Sequence, residues 1–135
     1  MVRTFNIYDG NLELSIARDS ISGEFNDGTN IPRMSPARNI YSILYSKDEG
    51  NQFSLVLKDV QQQNNLGLNE TSTKGYKLLD ARYSHKLVSE SGAEISASVF
   101  GHNLLNEVAR NHSSFVKNEV PLAGKNMGVS FSVKF

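Results

Sequence analysis

The chain closes on the sequence Asn126-Met127-Gly128-Val129-Ser130-Phe131-Ser132-Val133-Lys134-Phe135, in which apolar and polar side chains alternate. The apolar positions are Met127, Val129, Phe131, Val133 and Phe135. Because successive side chains of a β-strand point to opposite faces, this pattern predicts a strand with one apolar and one polar face. Such a strand suits either a half-buried sheet of a soluble protein or a membrane barrel that faces lipid outside and water inside.

A similar alternation recurs in six earlier segments and extends the prediction to the whole chain. These segments are 3–8, 12–17, 39–46, 53–58, 76–85 and 94–102. The phase changes near Asp19-Ser20, which predicts either a bulge or the point where a strand leaves the apolar band. No segment sustains helical periodicity. We therefore predict an all-β fold over residues 1–135: an antiparallel up-and-down transmembrane β-barrel segment of about seven or eight strands.

The connections between these segments alternate between short and long. Short turns are predicted at 9–10, 46–51 and 86–92, and long loops at 26–36, 61–75 and 103–125. Outer-membrane barrels have short periplasmic turns and longer extracellular loops. The pattern therefore favours a membrane barrel over a soluble sandwich, and it places the long loops outside the cell. The Gln- and Asn-rich run 61–65 is predicted to be a solvated part of its loop.

Composition limits the classes of function. Lys and Arg number 14, as do Asp and Glu, so no net charge would attract nucleic acid. The chain has no Cys, which excludes disulfides and thiolate metal sites. It carries no phosphate-binding loop, nucleophile elbow or HExxH motif, so we do not predict an enzyme. No apolar run approaches the roughly 20 residues that a membrane-spanning helix needs.

Five segments carry a more specific signal. They are 29–38 (TNIPRMSPAR), 75–81 (GYKLLDA), 103–107 (NLLNE), 111–117 (NHSSFVK) and 121–126 (PLAGKN). Together they resemble segments of the TonB-dependent receptors of the bacterial outer membrane, and the terminal strand is similar to the last strand of outer-membrane proteins. The segments 111–117 and 121–126 are similar to the ending of a subgroup that includes zinc-uptake receptors. The resemblance extends over nearly the whole chain from Leu12 onward.

The resemblance implies that the chain is the C-terminal portion of a receptor barrel of about 22 strands. In this family an N-terminal plug lies inside the barrel, and TonB drives the uptake of metal ions, haem or metal chelates. The C-terminal strand closes the barrel and is read by the assembly machinery. The implied partners are outer-membrane lipid, the assembly machinery and, through an N-terminal region without a counterpart in this sequence, TonB.

The first residues, Met1 to Asn6, lack the apolar core and the small-residue cleavage site of a secretory signal. We therefore expect the chain to be the C-terminal piece of a longer precursor, without transport activity by itself. Lipid does not tolerate unpaired sheet edges, so an open piece is expected to need further strands or to self-associate through its edges.

Two histidines are candidate metal ligands. His102 shares a polar strand face with Glu94, and His112 lies in the same long loop as Glu107. Imidazole and carboxylate groups suit zinc, and the resemblance to zinc-uptake receptors points to the same metal. The spacing matches no compact ligand motif, so ordinary polar roles for both histidines are the alternative. The third histidine, His85, is predicted at the end of its strand away from the long loops.

Asp80 and Arg82 are predicted to form a structural charge pair on a polar strand face, and not a catalytic one. One alternative is a small self-contained outer-membrane barrel with a structural or adhesive role, which needs an eighth strand from a longer N-terminus or from a split of 12–25. The other is a soluble lipocalin-like binding barrel, which would place its apolar side chains inside.

Overall fold

The sheet contains seven strands in chain order. The computed structural model describes residues 1–47, 50–89 and 92–134. The strands are β1 (Val2–Ile7), β2 (Gly10–Asp19), β3 (Arg38–Lys47), β4 (Asn51–Val60), β5 (Tyr76–Val88), β6 (Glu94–His102) and β7 (Asn126–Lys134). Each strand pairs antiparallel with its neighbours along the chain, which confirms the all-β up-and-down prediction. Strands β1 and β7 are not paired with each other, so the sheet that the described residues form is open.

The end of strand β2 explains why the alternation of apolar and polar residues changes near Asp19-Ser20. Its register with β3 is continuous from Gly10, opposite Lys47, to Asp19, opposite Arg38. The strand therefore ends at this point without a bulge. Residues 20–25 contribute an isolated bridge from Glu24 to Asn30, so a split of 12–25 supplies no eighth strand in the described part of the chain. No helix among the described residues is long and apolar enough to cross a membrane.

The register aligns the predicted apolar positions across the whole sheet. Residues paired across neighbouring strands project from the same face. One such row crosses all seven strands: Phe5, Leu12, Tyr45, Phe53, Tyr83, Val99 and Val129. The sheet therefore presents one continuous apolar face, as the alternation in the sequence predicts.

This apolar face is open to the surroundings. Val129 is 74% exposed and Phe131 is 68% exposed, whereas Ser98, on the opposite face, is 7% exposed. Among the described residues, the buried hydrophobic side chains are Val60 and Ala109. The part of the chain that the structure describes therefore has almost no apolar core, and many large apolar side chains of the sheet and of the loops are exposed.

The opposite face carries hydroxyl groups and paired charges. The Asp80 carboxylate lies 3.7 Å from Lys58 Nζ and 3.6 Å from His102 Nδ1. Arg82 Nη1 donates a hydrogen bond of 3.3 Å to Ser98 Oγ. The predicted pair between Asp80 and Arg82 is therefore wrong, because each side chain finds its partner on a neighbouring strand instead.

The connections alternate in length as predicted. The strand ends that short connections join lie at one edge of the sheet, and those that long connections join lie at the other; the short connections run from Ile7 to Gly10, from Lys47 to Asn51 and from Val88 to Glu94. We name the long connections loop A (20–37), loop B (61–75) and loop C (103–125), and together the loop layer. In the first short turn Tyr8 has a positive φ of 51°. The three loops of the loop layer contact one another, and these contacts form the candidate site.

Candidate functional site

Glu70 of loop B connects loop B to loop A. Its Oε1 accepts a hydrogen bond of 2.7 Å from the Arg33 N–H, and its Oε2 accepts one of 2.8 Å from the Gly67 N–H. Hydrogen bonds between ionised groups and backbone N–H groups are stronger than neutral ones. The carboxylate of Glu70 therefore fixes the path of loop A relative to loop B.

Gly67 lies at the closest approach of these two loops. A Cβ atom at Gly67 would lie 2.6 Å from Pro32 Cα and 2.7 Å from Pro32 Cβ, too close for any side chain. We expect Gly67→Ala to lower the free energy of unfolding by roughly 1–3 kcal/mol, because loop A must move away. The matched control is Gly124→Ala, whose Cβ would meet Asn106 Oδ1 at an ordinary 3.5 Å. Denaturant midpoints of both variants test this, and equal midpoints would contradict it.

His112 of loop C reaches into the same cluster and is 1% exposed. Its Nδ1 lies 2.8 Å from Thr73 Oγ1 and 3.2 Å from Lys117 Nζ. Its Nε2 lies 3.6 Å from Glu70 Oε1 and has no hydrogen-bond partner among the described residues. An ammonium group only donates, so Nδ1 must accept and Nε2 carries the proton of the neutral ring.

Lys117 ties loop C to loop B. Its ammonium group donates to the Thr71 carbonyl oxygen as well as to His112 Nδ1, and the side chain is buried. Behind it, Arg110 Nη1 donates to the carbonyl oxygens of Lys117 and Asn118 at 2.6 and 2.8 Å. Lys117 of loop C is therefore a buried cation that hydrogen bonds hold at its ammonium group and at its backbone carbonyl oxygen.

The buried charges shift the pKa values of two groups in the cluster. Burial lowers the pKa of His112 below its usual 6.5, and the positive charge of Lys117 lowers it further, against the opposing effect of Glu70. Burial raises the pKa of Glu70, but the N–H groups of Gly67 and Arg33 and the nearby positive charges lower it more. Near neutral pH the neutral imidazole of His112 therefore lies between the carboxylate of Glu70 and the ammonium group of Lys117.

The segment 103–107 anchors the start of loop C. Asn103 and Asn106 have positive φ values of 49° and 55°, a conformation that Asn adopts more readily than most residues. The Asn103 side-chain amide donates to the carbonyl oxygens of Glu107, at 2.9 Å, and Ala123, at 3.1 Å. The turn therefore joins the two ends of loop C and directs the chain between them toward loop B.

The structure gives His102 a different neighbour from the predicted one. Its Nδ1 lies near Asp80 on the polar face. Glu94 lies at the other end of β6, where it accepts a hydrogen bond of 3.0 Å from Lys86 Nζ. His85 lies at the short-connection edge as predicted, with its Nδ1 2.7 Å from Asn51 Oδ1.

His112 also has a different carboxylate neighbour, Glu70 in place of Glu107. A zinc ion would compete with Lys117 for Nδ1, and the neutral ring offers a proton, and not a lone pair, at Nε2. In the described residues no group of three or more His, Cys, Asp or Glu side chains could hold a metal ion. The structure therefore does not bring His102 and His112 together in one ligand set, and zinc binding stays a prediction.

The predicted barrel-closing residues lie on the edge strand β7. Val129, Phe131 and Val133 project from the apolar face together with Met127. Phe135 lies outside the described residues. The strand pairs with β6 on one side, so its other backbone edge is available to a further strand.

Sequence reasoning missed most of the loop cluster. The run 61–65 was expected to be solvated, yet Gln63 is 7% exposed and its amide donates to the Met34 carbonyl oxygen at 2.9 Å. No motif marked Glu70 or Thr73, and the segment 111–117, which contains Lys117, did not indicate the role of this residue, because these contacts join segments that are far apart in the sequence. Of the cluster, the sequence identified His112 alone.

Comparison of the chain with known protein families and with curated proteins found no match. The likeness to TonB-dependent receptors therefore rests on the five segments of the sequence that resemble them.

Proposed function

We propose that the chain forms the C-terminal barrel portion of a TonB-dependent receptor of the bacterial outer membrane. The receptor would import a metal ion or a metal chelate such as a siderophore or haem. The observation that carries this proposal is the exposed apolar row that crosses all seven strands, opposite a face of hydroxyl and charged groups. A sheet with this arrangement is suited to lipid on one side and water on the other.

The lengths of five of the seven strands support a membrane location. Strands β2, β3 and β4 have 10 residues each, and β6 and β7 have 9 each. A tilted strand needs about 9–11 residues to cross the hydrocarbon layer. Large exposed apolar surfaces mark places where a protein meets a membrane or a partner. Lipid on the apolar face would remove Val129, Phe131 and their neighbours from water.

The open edges support the proposal that the sheet is part of a larger barrel. Strands β1 and β7 each have one neighbour in the described sheet. Unpaired backbone N–H and C=O groups are very costly in lipid, so both edges require further strands there. Strands β1 and β7 run in the same direction, so an antiparallel barrel closes with an odd number of additional strands.

The loop layer supports an extracellular binding role in place of a catalytic one. Its three loops are joined by Glu70, His112 and Lys117, which pair with one another and with backbone groups. A connected layer at one mouth of the barrel can contact a substrate before it enters. The charges of the polar face are likewise engaged with each other, as in the pair of Lys86 and Glu94.

Refolding in detergent tests the proposal. The purified chain, mixed with detergent micelles, should become rich in β-structure and enter the micelles. An unboiled gel should show a heat-modifiable species if the edges close by self-association. A folded monomer in plain buffer would overturn the proposal and favour the lipocalin-like barrel. A heat-modifiable monomer would favour the small self-contained barrel instead.

Transport by the chain alone is not expected. Cells that lack their own receptor and produce this chain should show no TonB-energised uptake of zinc, haem or siderophores. The matched control is the same assay with a complete receptor. Energised uptake by the chain alone would contradict the proposal that it is one portion of the barrel.

A further inference from the structure

A groove in the loop layer is lined by polar and cationic side chains. It lies between loops B and C and has a volume of about 430 Å³. Its lining residues are Ser72, Thr73, Lys74, Val108, Arg110 and Asn118. Two cationic side chains, the Ser72 hydroxyl and the Asn118 amide therefore line one space outside the sheet, whereas the Thr73 hydroxyl is already hydrogen-bonded to His112.

The two cations of the groove lack acidic partners. In the part of the chain that the structure describes, no carboxylate oxygen lies within 4.0 Å of Lys74 or Arg110. Four cations elsewhere in the described chain do have a carboxylate within this distance, as Arg38 has Asp19 at 2.7 Å; the other three are Lys47, Lys58 and Lys86. The Glu70 carboxylate of the adjoining loop cluster is engaged by two backbone N–H groups. The lining of the groove therefore contains two cationic side chains and no acidic one.

The walls of the groove are held in place. Arg110 Nη1 is fixed by the carbonyl oxygens of Lys117 and Asn118, which leaves the rest of its guanidinium group free to bind a ligand. Ala109, next to it, is fully buried, and its carbonyl oxygen accepts a hydrogen bond of 2.8 Å from the Leu122 N–H. Thr73 is buried against His112. Fixed donors lose less entropy on binding than mobile ones.

We propose that this groove binds an anionic oxygen group, a carboxylate or a phosphate, through Lys74 and Arg110. Guanidinium groups bind both anions with two parallel hydrogen bonds, and Ser72 and Asn118 can supply further donors. The inference rests on the proposed function for its biological role and narrows the substrate to an anionic chelate. The same chemistry would also hold the phosphate of a membrane lipid.

Binding to the full chain tests this inference in whichever medium gives the β-rich state, detergent or plain buffer. A failure of the membrane proposal therefore leaves this test intact. Equilibrium dialysis at 0.15 M salt should show saturable binding of citrate or inorganic phosphate. Lys74→Gln should weaken it about tenfold, the usual effect of losing one charge-assisted hydrogen bond. Arg110→Gln should weaken it at least as much.

The control is Lys125→Gln, which removes the same charge from loop C outside the groove and should leave binding unchanged. Lys74 makes no contact that holds the loops together, so its variant separates binding from folding. A parallel titration with micelles that contain phosphatidylglycerol identifies the source of the anion. If the chain binds these micelles more tightly than citrate, and Lys74→Gln loses this binding, the ligand is a lipid phosphate. If it binds citrate more tightly, with the same dependence on Lys74, the ligand is a soluble chelate. No saturable binding of any probe, or equal losses in Lys74→Gln and Lys125→Gln, would overturn the inference.

Discussion

Val129→Lys should prevent the chain from entering detergent micelles as a folded sheet. Val129 lies in the middle of β7, opposite Val99, and it ends the apolar row that crosses all seven strands. A Lys on the lipid face of a membrane barrel costs about 2–4 kcal/mol near the midplane. That cost is a large part of the stability of a small folded unit, so the folded fraction should fall strongly. Far-UV circular dichroism and gel mobility after refolding measure it.

The matched control for Val129→Lys lies on the other face of the same strand. Ser132 is exposed and is paired with Ser96, and the next residue on its face is already a Lys, Lys134. Ser132→Lys should refold in detergent about as well as the original chain. In plain buffer a Lys at either position would only add a solvated charge. Equal refolding of both variants in detergent would therefore show that the apolar face does not meet lipid.

The architecture of the sheet was accessible from the sequence because it depends on a local pattern. The strand period of two assigns each side chain to a face without knowledge of its partners. Short connections between successive strands then fix which strands are neighbours. The alternation in the seven segments and the alternating lengths of their connections were thus sufficient for the order of the strands, their faces and the edge at which the long loops lie.

The closing of the barrel could not be read in the same way. The apolar alternation of β1 and β7 is compatible with pairing to each other, to another chain or to further strands of the same barrel. Nothing in the local pattern distinguishes these partners. The antiparallel all-β sheet is therefore confirmed. The closure of a barrel and its location in a membrane stay proposals.

The loop cluster depends on contacts between distant segments, which local patterns do not encode. His112 was paired with Glu107 because the two are near in sequence, but the folded chain places Glu70 beside it. Glu107 instead takes part in the turn at Asn103 through its backbone. The polar character of loop B suggested solvation, because composition alone cannot show that Gln63 and Thr73 pair with each other and with loop A or C.

His112→Ala should lower the free energy of unfolding by about 2–4 kcal/mol. The substitution leaves a cavity at a fully buried position and removes the acceptor that faces the buried ammonium group of Lys117. His112→Gln should cost less, because its side-chain carbonyl can still accept a hydrogen bond from Lys117. Hydrogen exchange of the backbone amides in loops B and C should report the loss most directly, since the contacts of His112 join these loops.

The same residue should make the stability of the loop layer depend on pH. Burial and Lys117 hold the pKa of His112 below 6.5, so between that lowered value and 6.5 the unfolded chain binds more protons than the folded one. Stability therefore falls as the pH decreases through this window, with a slope of at most about 1.4 kcal/mol per pH unit. Glu70, whose pKa is also lowered, adds a further loss below its usual 4.5.

Comparing variants isolates the contribution of His112 to this pH dependence. Protonation would place a donor on Nδ1, 3.2 Å from the ammonium group of Lys117, so the two cations would repel and loop C would separate from loop B. His112→Gln should remove the decrease between pH 7 and 5, whereas His102→Gln, outside the cluster, should retain it. Amide protection in loop B that is independent of pH in the original chain would contradict the assignment. If stability still decreases between pH 7 and 5 in His112→Gln, the pH dependence belongs to another group. Because the contact joins two loops at the mouth of the proposed barrel, acidification should open the loop layer while the strands keep their pairing.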